Sequence, residues 1–191
     1  TKSDSTGRRI RTKRGFTLIE LMVTIALASI LMMVAAPSFT EFKRNSEMVS
    51  ITNSLFSAIN AARTEAMKTG MDALVVPKDG SQWSSGIVVF VDRNRDKAYS
   101  ESNDTLVMER EAFPDYIKFS GKTYFMFNGS GYAKSKDASD ANGVLSFKRT
   151  DISTAPTRRI ILSLSGRIRS CSSVNDSTCE ESATNFASTA G

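Results

Sequence analysis

A long N-terminal helix packed on an antiparallel sheet, an α+β arrangement, is the fold class that this 191-residue sequence predicts. Three observations carry that prediction. Residues 16–39 form an apolar run with a single charge, Glu20. From there to residue 69, apolar side chains recur at three- and four-residue steps, the period of one helix face. After Gly70 the chain changes to short segments rich in β-branched and aromatic residues, punctuated by turn formers.

The helix comes first. Residues 21–39 are nineteen positions without a charge, and as a helix they span roughly 28 Å at about 1.5 Å per residue, enough for a hydrocarbon core. Lys2, Arg8, Arg9, Arg11, Lys13 and Arg14 precede them against one acid, Asp4, and such a basic flank would stay cytoplasmic. A secretory signal peptide has a shorter apolar region, about 7–15 residues, that ends at a small-residue cleavage site. Here the run is longer and is expected to be retained. Glu20 needs a reason, because a carboxylate within the membrane costs on the order of 2.5–3.5 kcal/mol on insertion scales. Pro37 removes one backbone hydrogen bond and is expected to bend the helix without ending it. Beyond it Met48, Thr52, Leu55, Phe56, Ile59, Ala62 and Ala66 make one stripe. Lys43, Arg44, Glu47, Asn60, Arg63 and Lys68 lie largely off that stripe. Gly70 is the expected stop. One helix over about 16–69 is predicted.

The strands follow at 73–76, 86–92, 105–111, 116–120, 124–127, 144–149, 159–164 and 167–171, divided by clusters such as Asp79-Gly80-Ser81 and Asn128-Gly129-Ser130-Gly131. Three parts are expected: residues 1–15 as a basic segment ahead of the helix, 16–43 as the membrane half of the helix, and 44–191 as one domain. The last twenty residues are polar apart from Cys179, and their end is expected to be loose.

Charge has to be divided before it is interpreted. The whole chain is +5, but residues 1–15 hold six basic residues and one acid, so residues 16–191 are neutral. Most of the nucleic-acid signal in a basic isoelectric point therefore lies in the first fifteen residues and not in the rest of the chain. With no histidine, no phosphate loop and no nucleophile in a recognisable setting, no enzyme is visible and no cofactor is expected. Asp92-x-Asn94-x-Asp96 has the spacing of a calcium loop's first ligands, but Lys97 and Asn103 stand where glycine and an acid are required. A turn held by side-chain to backbone hydrogen bonds is expected there, with no metal.

Gly15-Phe16-Thr17-Leu18-Ile19-Glu20, behind its basic leader, resembles the N-terminal signature of type IV pilins and type II pseudopilins. The stretch from Trp83-Ser84-Ser85-Gly86 through Asp92-x-Asn94-x-Asp96, with Ser57-Ala58-Ile59-Asn60-Ala61-Ala62-Arg63-Thr64-Glu65-Ala66 upstream, is similar to the GspH/FimT-type pseudopilins and minor pilins. The resemblance implies a pilin-like fold. It also implies cleavage between Gly15 and Phe16 by a prepilin peptidase, methylation of the new amino terminus at Phe16, and pairing of Glu20 with that amine during subunit docking. The implied partners are other pilins and the inner-membrane assembly machinery. The implied location is the inner membrane, then a filament in the periplasm or at the cell surface.

Cys171 and Cys179 enclose a nine-residue loop. In an oxidising compartment they should pair, which adds roughly 2–3 kcal/mol. A metal or redox pair is the alternative, disfavoured by the seven-residue gap and the lack of histidine. A disulfide there would resemble the cysteine-closed C-terminal loop of many type IV pilins, whereas GspH-type secretion pseudopilins usually lack it. Residues 144–171 hold a local charge excess, with Lys148, Arg149, Arg158, Arg159, Arg167 and Arg169 against Asp151. Gly166-Arg167-Ile168-Arg169 resembles the GRxR motif associated with DNA binding in FimT-type minor pilins. In a strand, Arg167 and Arg169 would share one face and could meet successive phosphates, with Arg158, Arg159 and Lys148 nearby. Charge that blunts a sheet edge is the structural alternative. The function expected is a minor pilin that primes or caps a type IV pilus, with DNA uptake in natural transformation as an added role. The alternative is a GspH-like pseudopilin of type II secretion.

Overall fold

The structure is a computed structural model and describes residues 15–136, 141–174, 176 and 179. The expected leader, apart from Gly15, and the expected loose end beyond Cys179 lie outside the described residues. The chain divides into two units, residues 1–47 and 48–191. Helix α1, Leu18–Thr69, runs through both. Its two stretches, Leu18–Met33 and Ser38–Thr69, meet at a 43° bend, which falls where the sequence places Pro37. No single described helix is long and apolar enough to cross a membrane, whereas this bent pair together meets the length and composition required.

The second unit is built on the buried stripe of α1. Met48, Ile51, Thr52, Leu55, Ala58, Ile59, Ala62 and Ala66 are all buried. The predicted stripe is close to this but not identical. Phe56 is only half-buried, while Ile51 and Ala58 are inside. The buried face is wider than a three-four ladder drawn from Met48, because a helix lying on a sheet covers an arc rather than a line.

Eight strands follow: β1 (Asp72–Pro77), β2 (Ile87–Asp92), β3 (Thr105–Arg110), β4 (Ile117–Gly121), β5 (Phe125–Phe127), β6 (Gly143–Arg149), β7 (Arg158–Leu162) and β8 (Ile168–Ser172). All the observed pairings are antiparallel, and they form two four-stranded sheets, ordered β3-β2-β1-β5 and β4-β6-β7-β8. The first sheet is covered on both faces. Ala73, Val75, Val89, Val91, Phe125 and Phe127 join the helix stripe in the main core. Leu74, Val76, Val88, Phe90 and Met126 form a second cluster under Tyr99 and Tyr124. Burial on both faces is why β1 and β2 read as continuous apolar runs. The second sheet alternates instead. Ile117, Leu145, Phe147, Ile160 and Leu162 enter the main core, while Lys118, Ser120 and Lys148 stay outside.

The Asp92-x-Asn94-x-Asp96 turn uses its carboxylates on its own backbone. Asp92 accepts from the amides of Arg95 and Lys97, at 2.7 and 3.0 Å, and Asp96 accepts from Ala98 at 2.9 Å. Arg95 and Lys97 both adopt left-handed φ, and these bonds stabilise that conformation.

Candidate functional site

Two regions carry the chemistry the sequence singled out. The first is the start of α1. Thr17 precedes the helix, and its Oγ1 accepts from the amide of Glu20 at 3.3 Å while donating toward Glu20 Oε2 at 3.5 Å. A threonine followed three residues later by glutamate is the pattern of a helix-capping box. Thr17-Leu18-Ile19-Glu20 spells that capping signal in the sequence. Glu20 thus sits in the first turn, where the helix dipole favours a carboxylate. Around it the apolar side chains face outward: Phe16 is 78% exposed, and Leu18, Ile19, Leu21, Ile25, Leu31 and Phe42 are each more than half exposed. A side chain at Gly15 would meet no described atom within 4 Å, so packing within the chain does not demand glycine there.

The second region is the edge of the second sheet. β8 is a terminal strand, paired with β7 in the register Arg159 opposite Cys171 and Ile161 opposite Arg169. Ile168 packs against the core, which sends Arg167, just ahead of the strand, and Arg169 to the opposite side. Arg167 is exposed and Arg169 half-buried. The turn before them is closed by the Gly166 amide donating to Ser163 O at 2.9 Å, and by the Arg167 amide donating to Ser163 Oγ at 3.1 Å.

Only some of the remaining basic residues share a face with these two. Arg159 and Lys148 share the outer face with Arg169 by register. Arg158 lies opposite core-facing Phe147 and so belongs to the inner side of the sheet. Arg149 leaves the charge count altogether. It is 4% exposed, and its Nε and Nη2 donate to the two carboxylate oxygens of Asp151 at 3.0 and 2.7 Å. Strand parity separates residues that a charge count had pooled.

Cys171 and Cys179 form a disulfide, Cα–Cα 5.8 Å, which fastens the tail to β8. Arg159 Nη1 donates to the Cys179 carbonyl at 3.5 Å, so Cys179 lies beside the outer face of β7. On the far face of the first sheet, a hollow of about 560 Å³ is lined in part by Tyr99, Tyr124, Lys97 and Lys136. Burial pushes the Lys136 ammonium below its ordinary pKa, and it lies 5.1 Å from the centre of the Tyr124 ring. Among the described residues no cluster of three or more potential metal ligands occurs.

The family model for "Type II transport protein GspH" matches residues 52–166, more than half of the chain. The chain belongs to the GspH family. A second model, the prokaryotic N-terminal methylation motif, matches residues 10–36 of this GspH-family chain. No curated protein sequence matches it. Among solved structures, the type IV minor pilin FimU of Pseudomonas aeruginosa (strain PAO1) in one crystal form has a TM-score of 0.51 at 15% identity. That match covers 67% of this chain and 90% of FimU. A second FimU crystal form gives 0.51 at 16% identity, covering 66% and 94%. The minor pseudopilin EpsH of the Vibrio cholerae type 2 secretion system gives 0.46 at 12% identity, covering 66% and 98%. At these identities the FimU likeness speaks for the fold. A long N-terminal helix with antiparallel sheets is the pilin-like fold that the sequence predicts.

Proposed function

We propose that this chain is a minor pilin that enters a type IV pilus and helps prime or cap its assembly. The observation that carries the reading is the exposed apolar surface of residues 16–33 and 38–42. A helix so apolar is not stable in water unless something covers it. The inner membrane covers it first, with the basic leader cytoplasmic, and neighbouring pilins cover it in the filament. A prepilin peptidase cuts between Gly15 and Phe16, and methylation follows at Phe16. Glu20 then guides docking by pairing with an N-terminal amine. The methylation-motif match over residues 10–36 supports this order of events.

The test is Glu20→Ala. Loss of an intramembrane charge makes insertion easier, while docking loses its electrostatic partner. The variant should therefore be processed and membrane-inserted at wild-type levels yet depleted at least severalfold from sheared pili. Equal recovery in the sheared fraction overturns the role of Glu20.

The Cys171–Cys179 disulfide supports a pilus over a type II secretion pseudopilus, the alternative reading, because pseudopilins of that type usually lack it. Deletion should abolish piliation and leave exoprotein secretion intact; the reverse outcome selects the alternative. DNA contact during uptake is an added role, supported by the position of Arg169 on a terminal strand and of Arg167 just ahead of it. Phosphate contacts release counterions and make binding fall steeply with salt. A domain fragment starting near Arg44 should bind duplex DNA weakly and without sequence preference. Replacing both arginines by Gln should weaken binding and flatten the salt slope by up to about two contacts. Superimposable gel-shift curves at two salt concentrations would reduce these arginines to edge charge.

A further inference from the structure

We propose that the outer face of the second sheet holds a binding site for one phosphomonoester group, formed by Lys118, Lys148 and Arg159 with the hydroxyls of Ser120, Ser146 and Thr157. These six residues line a hollow of about 330 Å³. The register explains how they meet. Lys118 lies directly opposite Lys148, Ser120 opposite Ser146, and Ser146 opposite Arg159. Adjacent strands are about 4.8 Å apart, so three cations, one from each of β4, β6 and β7, meet in a region only three strands and two residues wide.

That arrangement works against the fold. Like charges directly opposite on neighbouring strands destabilise a sheet, and among the described residues no carboxylate lines the hollow. Among the described residues neither lysine makes an ion pair. Arg159 is also incompletely used. Its Nη1 reaches the Cys179 carbonyl only at 3.5 Å, and its Nε is buried without a hydrogen-bond partner. A group with two negative charges and several acceptor oxygens would relieve the lysine repulsion. It would also give the guanidinium and three hydroxyls their acceptor.

The shape selects among phosphates. A nucleic-acid backbone offers singly charged diesters along an extended strand, the chemistry proposed above for Arg167 and Arg169, which do not line this hollow. Three converging cations in a recess suit a terminal dianion that enters end-on. The shared chemistry is a phosphomonoester, carried on a soluble sugar phosphate or on a lipid headgroup.

The test uses the full chain in detergent, with backbone amide NMR shifts at residues 118–120, 146–148 and 159 followed during titration with inorganic phosphate. Saturable shifts are expected. The Lys118→Gln/Lys148→Gln variant should weaken binding about tenfold or more, and Arg167→Gln should leave it within about twofold. Because the second phosphate proton leaves near pH 6–7, affinity should rise between about pH 5.5 and 7.5 for phosphate but stay flat for sulfate. Competition by glucose 6-phosphate or by a short-chain phosphatidic acid, whichever is tighter, names the source, and both outcomes uphold the site. Shifts that never saturate, that are unchanged in the lysine variant, or that move equally with Arg167→Gln overturn it. A Lys118→Arg/Lys148→Arg variant that restores binding separates lost charge from lost fold.

Discussion

Gly166 shows how much a single residue can hold. Its φ is +76°, and a Cβ there would sit 2.0 Å from the carbonyl oxygen of Gly131. That same oxygen accepts from Arg63 Nε on α1 at 3.0 Å, and the Ala133 amide donates to Leu164 O at 3.1 Å. Gly129 approaches the backbone of Gly70 just as closely. The glycine of the Gly166-Arg167-Ile168-Arg169 segment therefore joins the helix end to loops of both sheets, whatever the arginines do. Gly166→Ala should cost about 2–4 kcal/mol, from left-handed strain plus a backbone collision, read as a lower denaturant midpoint, while Arg167→Ala should cost under about 0.5 kcal/mol. At this scale the sequence was only partly legible. Glu20, Arg167 and Arg169 stand out by residue type and spacing. The withdrawal of Arg149 by Asp151 and of Arg158 by strand parity depends on where each strand begins, and one residue of register decides it.

At the scale of elements, legibility followed periodicity. The expected strands agree with the observed ones to within two residues at each end, because β-branched runs and turn clusters are local signals. α1 was legible for the same reason, its 52 residues carrying one internal breaker, Pro37, which bends the helix without ending it. What was not legible is the division of eight strands between two sheets, since pairing joins segments far apart in the chain. The short helical turn at Trp83–Ser85 was missed too, because three residues carry no period. The inner stripe of α1 should dominate stability. Leu55 is fully buried in the main core, so Leu55→Ala should cost about 2–5 kcal/mol in chemical denaturation of the domain fragment. Ser57 is exposed two residues further on, and Ser57→Ala should fall within about 0.5 kcal/mol.

For the whole molecule, the disulfide acts on the unfolded chain as much as on the folded one. A nine-residue loop predicts roughly 2–3 kcal/mol, so Cys171→Ser/Cys179→Ser should lower the free energy of unfolding by that amount, read as a lower denaturant midpoint. β8 should still pair with β7, because the strand hydrogen bonds do not involve the sulfurs. A reductant should reproduce the shift in the wild type and leave the double variant unmoved. The strand order has another consequence, for the timing of folding. β4 precedes β5 in the chain but belongs to the sheet whose other members, β6, β7 and β8, all come later. If the domain emerges across a membrane from its helix end outward, the first sheet can close once residue 127 is through. β4 must then wait with both edges open until residue 149 arrives. An open strand of Ile117-Lys118-Phe119-Ser120-Gly121 is a template for pairing with another chain, and its lysine is the one charge that discourages it. Subunit concentration at the exit face therefore sets a ceiling on how fast such a protein can be exported without cross-pairing.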